Sequence, residues 1–227
     1  IVYRSTDAMQ RHAANVTTIF SPDCSKESCT NKNKVLSYQS FYDSLNPEDS
    51  PSRGYAGGTR IPDVVPAVET LLFGKYVKQG YTVIVSDVQG QKADFAAGPE
   101  YGYNTLDSIR AAFNSSQIGL AKDAKVAMMG YSGGAIATEW AAELAPTYAP
   151  ELKPNLIGAA FGGVLVHPEH NLTYIEGAAL WGGVMPMAVI GIARSYDIDI
   201  RKYMTARGIE VYHSSNKASS ACVLGQS

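Results

Sequence analysis

The stretch Val126-Ala127-Met128-Met129-Gly130-Tyr131-Ser132-Gly133-Gly134-Ala135-Ile136-Ala137-Thr138-Glu139-Trp140 decides the fold. Its first residues form a short apolar run of strand length. Its last residues open a helical pattern, with Ile136, Trp140 and Leu144 on one stripe and Pro146 just past the expected end near Ala145. Between them lies Gly-x-Ser-x-Gly, the sequence of a sharp strand-to-helix turn. A serine hydroxyl is a weak nucleophile until a base removes its proton, and it must stand clear of the backbone for a carbonyl carbon to reach it. The elbow meets the second requirement, so Ser132 is the candidate nucleophile and Gly130, Tyr131 and Gly134 complete its turn. The free N–H of Gly133, at the helix N-terminus, is one half of an expected oxyanion hole. The bland alternative is a glycine turn with an incidental serine. The strand before it and the helix after it favour the elbow.

Outward from this turn the pattern repeats. Tyr81 to Ser86 is a β-branched run bounded by Gly80 and Asp87, the composition of a buried parallel strand. A helix over Pro62 to Lys78 precedes it. A second follows, with Asn104 as its cap, Leu106, Ile109 and Phe113 on one face, and Asn114-Ser115-Ser116 as its end. Leu156 to Phe161 is the strand after the elbow helix. This alternation predicts right-handed crossovers and an α/β fold with a doubly wound, mostly parallel sheet. Ala14 to Phe20 and Val35 to Tyr42 read as strands with no helix between them, which predicts an antiparallel edge at the start of the sheet. After Gly162 the rhythm stops. The glycine-rich run Gly177 to Ala193 and the segment Ser195 to Arg207 read as helices of a cap. Residues 1–163 are therefore taken as the first part of a core, and 164–227 as the start of a cap and an exposed loop.

Composition excludes several classes. The chain of 227 residues is 45% apolar with net charge -2, so it lacks the basic footprint of a nucleic-acid binder. The run Gly177 to Ala193 is too short and too broken by glycine and proline to span a bilayer. Sequons stand at Asn15, Asn114 and Asn171, where average composition gives roughly one by chance, which favours a secreted glycoprotein. Cys24 and Cys29 can close a small loop disulfide, leaving Cys222 over; three free thiols is the competing reading. No metal-ligand spacing is present, and no cofactor is expected. Asp87 follows the Tyr81 to Ser86 strand, where ligands collect in open α/β sheets, although a helix cap or surface turn would place an aspartate there equally well.

Taken with the elbow, several segments carry a resemblance. Gly130 to Ala135, Ala137-Thr138, Trp140-Ala141, Leu144-Ala145 and Tyr148 to Leu152 are similar to the fungal secretory lipase family. Tyr3 to Thr6, Leu36 to Gln39, Val85 to Gly90, Leu106 to Ala111 and Gly158 to Gly163 extend the similarity along nearly the whole chain. The resemblance implies an α/β-hydrolase with a helical cap that cleaves triacylglycerols and other fatty esters through a Ser, Asp, His triad without metal. It implies Ser132 as nucleophile, Gly133 as one oxyanion partner and Asp87 as the other.

Two features depart from that pattern. The family is nearly twice this length, and its triad Asp and His lie after the cap, so both are expected outside this chain. His167, His170 and His213 follow Ser132, but no core strand precedes any of them, and His12 sits in a polar turn. A missing part or second polypeptide is therefore expected to complete the triad, with Cys222 as a disulfide link to it. Competing readings are a short-chain esterase or serine peptidase on the same fold, and a non-catalytic interaction protein built on that scaffold.

Overall fold

The computed structural model describes residues 1–23, 33–57, 64–175, 177–178 and 182–217. Strands β1 (Val2–Thr6), β2 (His12–Phe20), β3 (Lys34–Gln39), β4 (Thr82–Ser86), β5 (Lys125–Tyr131) and β6 (Leu156–Gly162) form one sheet in the order β1-β2-β4-β3-β5-β6. The β1/β2 and β2/β4 pairs are antiparallel; β3/β4, β3/β5 and β5/β6 are parallel. The expected antiparallel edge is present, but it consists of β1 and β2. β3 lies inside the sheet, with Leu36 in register with Val83 on one side and Ala127 on the other.

Strand alternation sorts the core into two layers. Val35, Ile84, Val126 and Met128 face α3 (Gly98–Asn114) and α4 (Gly133–Tyr148), where Leu106, Ile109 and Ala141 meet them. Leu36, Tyr38, Val83 and Val85 point to the opposite face and pack on Phe73 of α2 (Val64–Lys78). Period-two residues buried on both faces are what a doubly wound sheet requires. The short α1 (Pro51–Tyr55) brings Tyr55 edge-on to Phe20. Beyond β6 come α5 (Pro168–Ile175), α6 (Val184–Ser195) and α7 (Ala206–Lys217). α6 buries Met185, Ala188, Ile190 and Ala193, and its Arg194 donates to the carbonyls of Leu45, Lys92 and Ala93.

Several local expectations change. α3 begins at Gly98, six residues before Asn104, because Pro99 can enter a first turn where its missing N–H costs nothing. Asn104 is thus an interior residue, buried, donating Nδ2 to the Val88 carbonyl. Pro146 lies inside the last turn of α4, where it forfeits a single backbone bond. His12 opens β2, exposed beside Arg4. Asn15 is 1% exposed, and its Nδ2 donates to Tyr3 Oη and the Asp87 carbonyl. Its amide is enclosed in the folded core, which corrects the reading of Asn15 as a glycan acceptor. Asn114 is exposed at the end of α3, and Asn171 is half-buried on α5.

Ile84 is fully enclosed between β4's neighbours and α3. Ile84→Ala in the intact protein is expected to lose about 2–5 kcal/mol of stability. Urea unfolding that shows a loss below 1 kcal/mol would contradict this packing.

Candidate active site

At the end of β5 the chain turns into α4 through Ser132, whose φ of 54° and ψ of -119° lie outside the regions open to ordinary L-residues. Strain of this kind survives only where the surroundings over-determine it. Here two contacts fix it. Ser132 N–H donates to the Gly162 carbonyl at the end of β6, 2.9 Å away. On the other side, a side-chain carbon at Gly134 would overlap the Gln39 carbonyl at the end of β3. Gly130 is equally constrained, since a Cβ there would overlap the Gly134 carbonyl and the Thr138 hydroxyl. Thr138 in turn donates to Gln39 Oε1 at 2.8 Å, tying α4 to β3. Tyr131 is exposed, and among the described residues no side chain hydrogen-bonds Ser132 Oγ.

Gly133 is the first residue of α4, so its N–H has no intrahelical acceptor. A Cβ at Gly133 would overlap Asp43 Oδ1. Asp43 stands on the loop that leaves β3, and its Oδ1 is buried without a hydrogen-bond partner. Desolvation first, and the charge of Glu69 second, push its pKa up to about 7. A buried carboxyl with such a pKa is protonated in a substantial fraction of molecules at neutral pH, and in that form it can donate a hydrogen bond next to the Gly133 N–H.

Asp87 is elsewhere. Its Oδ1 accepts from Ser52 N–H at 2.9 Å and its Oδ2 from Ser52 Oγ at 2.6 Å, so its carboxylate anchors α1 to the end of β4. Burial raises its pKa, and the Ser52 hydrogen bonds oppose that rise. The expected oxyanion role of Asp87 is corrected on this geometry: the carboxyl beside Gly133 is that of Asp43. Both aspartates follow a core strand. The sequence signal was the same for each, and only the packing of α4 against the β3 loop separates them.

Among the described side chains, no histidine lies beside Ser132 to complete a triad. His167 and His170 are exposed on and beside α5, 5.1 Å apart between ring centroids. His12 is on the far antiparallel edge, and the His213 side chain lies outside the described residues, as do Cys24, Cys29 and Cys222. Among the described residues no group of His, Cys, Asp and Glu is arranged to hold a metal ion, and no helix is long and apolar enough to cross a membrane.

A mixed sheet with helices on both faces and a strained serine elbow at the end of its central parallel strands defines an α/β-hydrolase. The comparisons narrow the class. The sequence pattern of the family described as secretory lipase matches residues 59–225. Lipase 1 of Candida albicans is 44% identical over 197 residues, covering 86% of this chain and 41% of that protein. Lipase A of Moesziomyces aphidis is 37% identical, covering 90% and 43%. The crystal structure of Candida antarctica lipase A in its closed state superposes with a TM-score of 0.81 at 36% identity, covering 92% of this chain and 48% of that one. The chain belongs to the secretory lipase family, and it spans about two fifths of the length of these curated relatives.

Gly134→Ala is expected to destabilise the intact protein by about 1–3 kcal/mol, because the obstructing atom is backbone and has no rotamer to escape into. A variant that melts with the wild type in thermal denaturation would show that the elbow has more room than this geometry gives it.

Proposed function

We propose that this chain carries the nucleophile and the oxyanion hole of a secreted carboxylic ester hydrolase, a triacylglycerol lipase, whose triad Asp and His come from polypeptide outside the chain. The observation that carries the reading is the juxtaposition of Ser132, strained at the N-terminus of α4, with the Gly133 N–H and the Asp43 carboxyl. Ser132 Oγ attacks the ester carbonyl carbon as a histidine base takes its proton. The carbonyl oxygen becomes an oxyanion and accepts from Gly133 N–H and Asp43 O–H. The alcohol leaves with the proton held by the base, and water then hydrolyses the acyl-enzyme in the same way.

The exposed far side of β6 supports an incomplete sheet. Ile157 and Phe161 are 65% and 44% exposed, and among the described strands only β5 pairs with β6. A further strand on that edge would bring its own C-terminal loop to the serine, in the chain order Ser, Asp, His that α/β-hydrolases follow. Val189 and Ile192 on α6 leave apolar surface open, in keeping with a cap over an acyl chain or at a lipid-water interface. Residues 1–163 are then the first part of the hydrolase core and 164–227 the start of the cap. Secretion, glycosylation at Asn114 and Asn171, a Cys24 to Cys29 disulfide and a Cys222 link to the rest of the protein belong to the same proposal.

In the intact protein Ser132→Ala is expected to lower ester turnover by several orders of magnitude and to abolish labelling by a phosphonate probe. Retention of more than a few per cent of activity would remove Ser132 from the mechanism. Asp43→Ala is expected to lower kcat by about 10²–10³, roughly 2.7–4 kcal/mol, with KM little changed.

The sign of the pH dependence follows from the proton. Asp43 donates only while protonated, so with a pKa near 7 the wild type loses this donor as pH rises through that value. Asp43→Asn keeps an N–H donor at every pH. Its kcat profile on a water-soluble ester should lack the alkaline fall, and an unchanged fall would exclude Asp43 from the oxyanion hole.

A further inference from the structure

Glu69 is a fully buried carboxylate in the middle of α2, where burial alone would disfavour its charge. It is met by three donors. Ser40 Oγ donates to Oε2 at 2.7 Å, Phe41 N–H donates to Oε1 at 2.9 Å, and Tyr38 Oη donates to Oε1 at 3.3 Å. All three come from the end of β3 and the loop that leads, two residues later, to Asp43. Desolvation leaves the pKa of Glu69 raised overall, and these bonds oppose that rise and favour the charge. A carboxyl that accepts three hydrogen bonds is suited to the ionised form, whereas Asp43, with no partner on Oδ1, is suited to the protonated one.

We propose that Glu69 is a positioning residue: its carboxylate fixes the Ser40 to Asp43 segment against the N-terminus of α4 and keeps the Asp43 carboxyl in its proton-donating form. The inference rests on the oxyanion reading of Asp43. Two linked effects follow from the geometry. The bond to Phe41 N–H ties down the backbone that carries Asp43, so the donor meets the oxyanion without reorganising. The negative charge on Glu69 opposes a second negative charge on Asp43, across an interior where like charges are poorly screened.

Among the described residues, the other titratable groups around the pair are Tyr38 and Tyr42 from β3 and its loop, Tyr55 from α1 and Tyr101 from α3. Burial raises all four far above the ordinary range, so they stay neutral. Asp87 at the end of β4 acts on Tyr42 and Tyr55, but it is itself held by Ser52 and faced by Arg53. Ser132 and Gly133 close the remaining side from α4 and bring no charge. Among the described residues, Glu69 is thus the charge whose removal Asp43 would feel.

The test is kinetic and uses the full-length protein with Glu69→Gln. Removing the charge makes Asp43 easier to ionise, so its pKa falls and the alkaline loss of kcat should move to lower pH. The weakened anchor should also lower kcat by about 10–100-fold with KM near the wild-type value. In an Asp43→Asn background, which has no proton to lose, Glu69→Gln should introduce no alkaline fall. A folded Glu69→Gln protein with wild-type kcat and an unmoved profile would overturn the inference, as would an identical pH shift in the Asp43→Asn background. If Asp43→Asn itself leaves the alkaline fall in place, the oxyanion reading fails first, and the two failures are told apart. Should Glu69→Gln not fold, Ser40→Ala removes one anchor alone. It is expected to lower kcat several-fold at unchanged KM, and an unchanged kcat would overturn the proposal.

Discussion

Everything at this site depends on how closely the first turn of α4 is pressed onto the end of β3. Gly134 has no room for a side-chain carbon against the Gln39 carbonyl, and the same contact forces the turn from β5 to be made in a single residue, Ser132. No L-residue adopts that backbone conformation readily. It is held by the Gly162 carbonyl on one side and by the Gln39 to Thr138 bond on the other. The sheet order is what makes both restraints possible. β5 lies between β3 and β6, all three run parallel, and their C-terminal ends meet at one edge. A serine at the end of any outer strand would have had a neighbour on one side only.

The same compression sets the electrostatics. Bringing α4 onto the β3 loop encloses Asp43 against Gly133, and packing α2 on the other face of the sheet encloses Glu69 beneath that loop. Two carboxyls in one low-dielectric region cannot both ionise cheaply. Their hydrogen bonding divides the roles, since Glu69 is met by three donors and Asp43 Oδ1 has no partner among the described residues. On the proposed reading, the fold thereby separates a charged anchor from a neutral acid. The α4 N-terminus adds to this, because it favours negative charge where the oxyanion would form rather than on Asp43 alone.

The elbow and the sheet were legible because local and tertiary demands coincide there. Apolar residues of strand length, a glycine pair and a helical stripe all specify the same turn, and period-two burial on Val83, Ile84 and Val85 states that helices cover both faces. The start of α3 was not legible, because Asn104 is a good cap by chemistry but is recruited to bind the Val88 carbonyl in the interior. Asn15 shows the same limit. A sequon records three residue types and says nothing of the strand pairing that buries this one. The exchange of Asp87 for Asp43 has a subtler origin. Both stand where parallel strands end, and the choice between them is made by Ser52, which occupies one carboxylate, and by Gly133, which faces the other.

On the proposed reading, the position of β6 bears on where the base would come from. Ser132 N–H already reaches the end of β6, so the nucleophile is one strand spacing, about 4.8 Å, from that strand's terminus. A strand added to the open edge of β6 would place its own C-terminal loop one further spacing away, on the side of the serine opposite Asp43. A base delivered from the β1 and β2 edge would have to cross β4 and β3 to reach the same hydroxyl. On that reading, the oxyanion side and the base side of the serine would be separated by the sheet itself: acid from the β3 side, base from the β6 side. That arrangement is what an ester carbonyl lying across Ser132 needs, with its oxygen directed toward Asp43 and Gly133 and its leaving group toward the opposite edge.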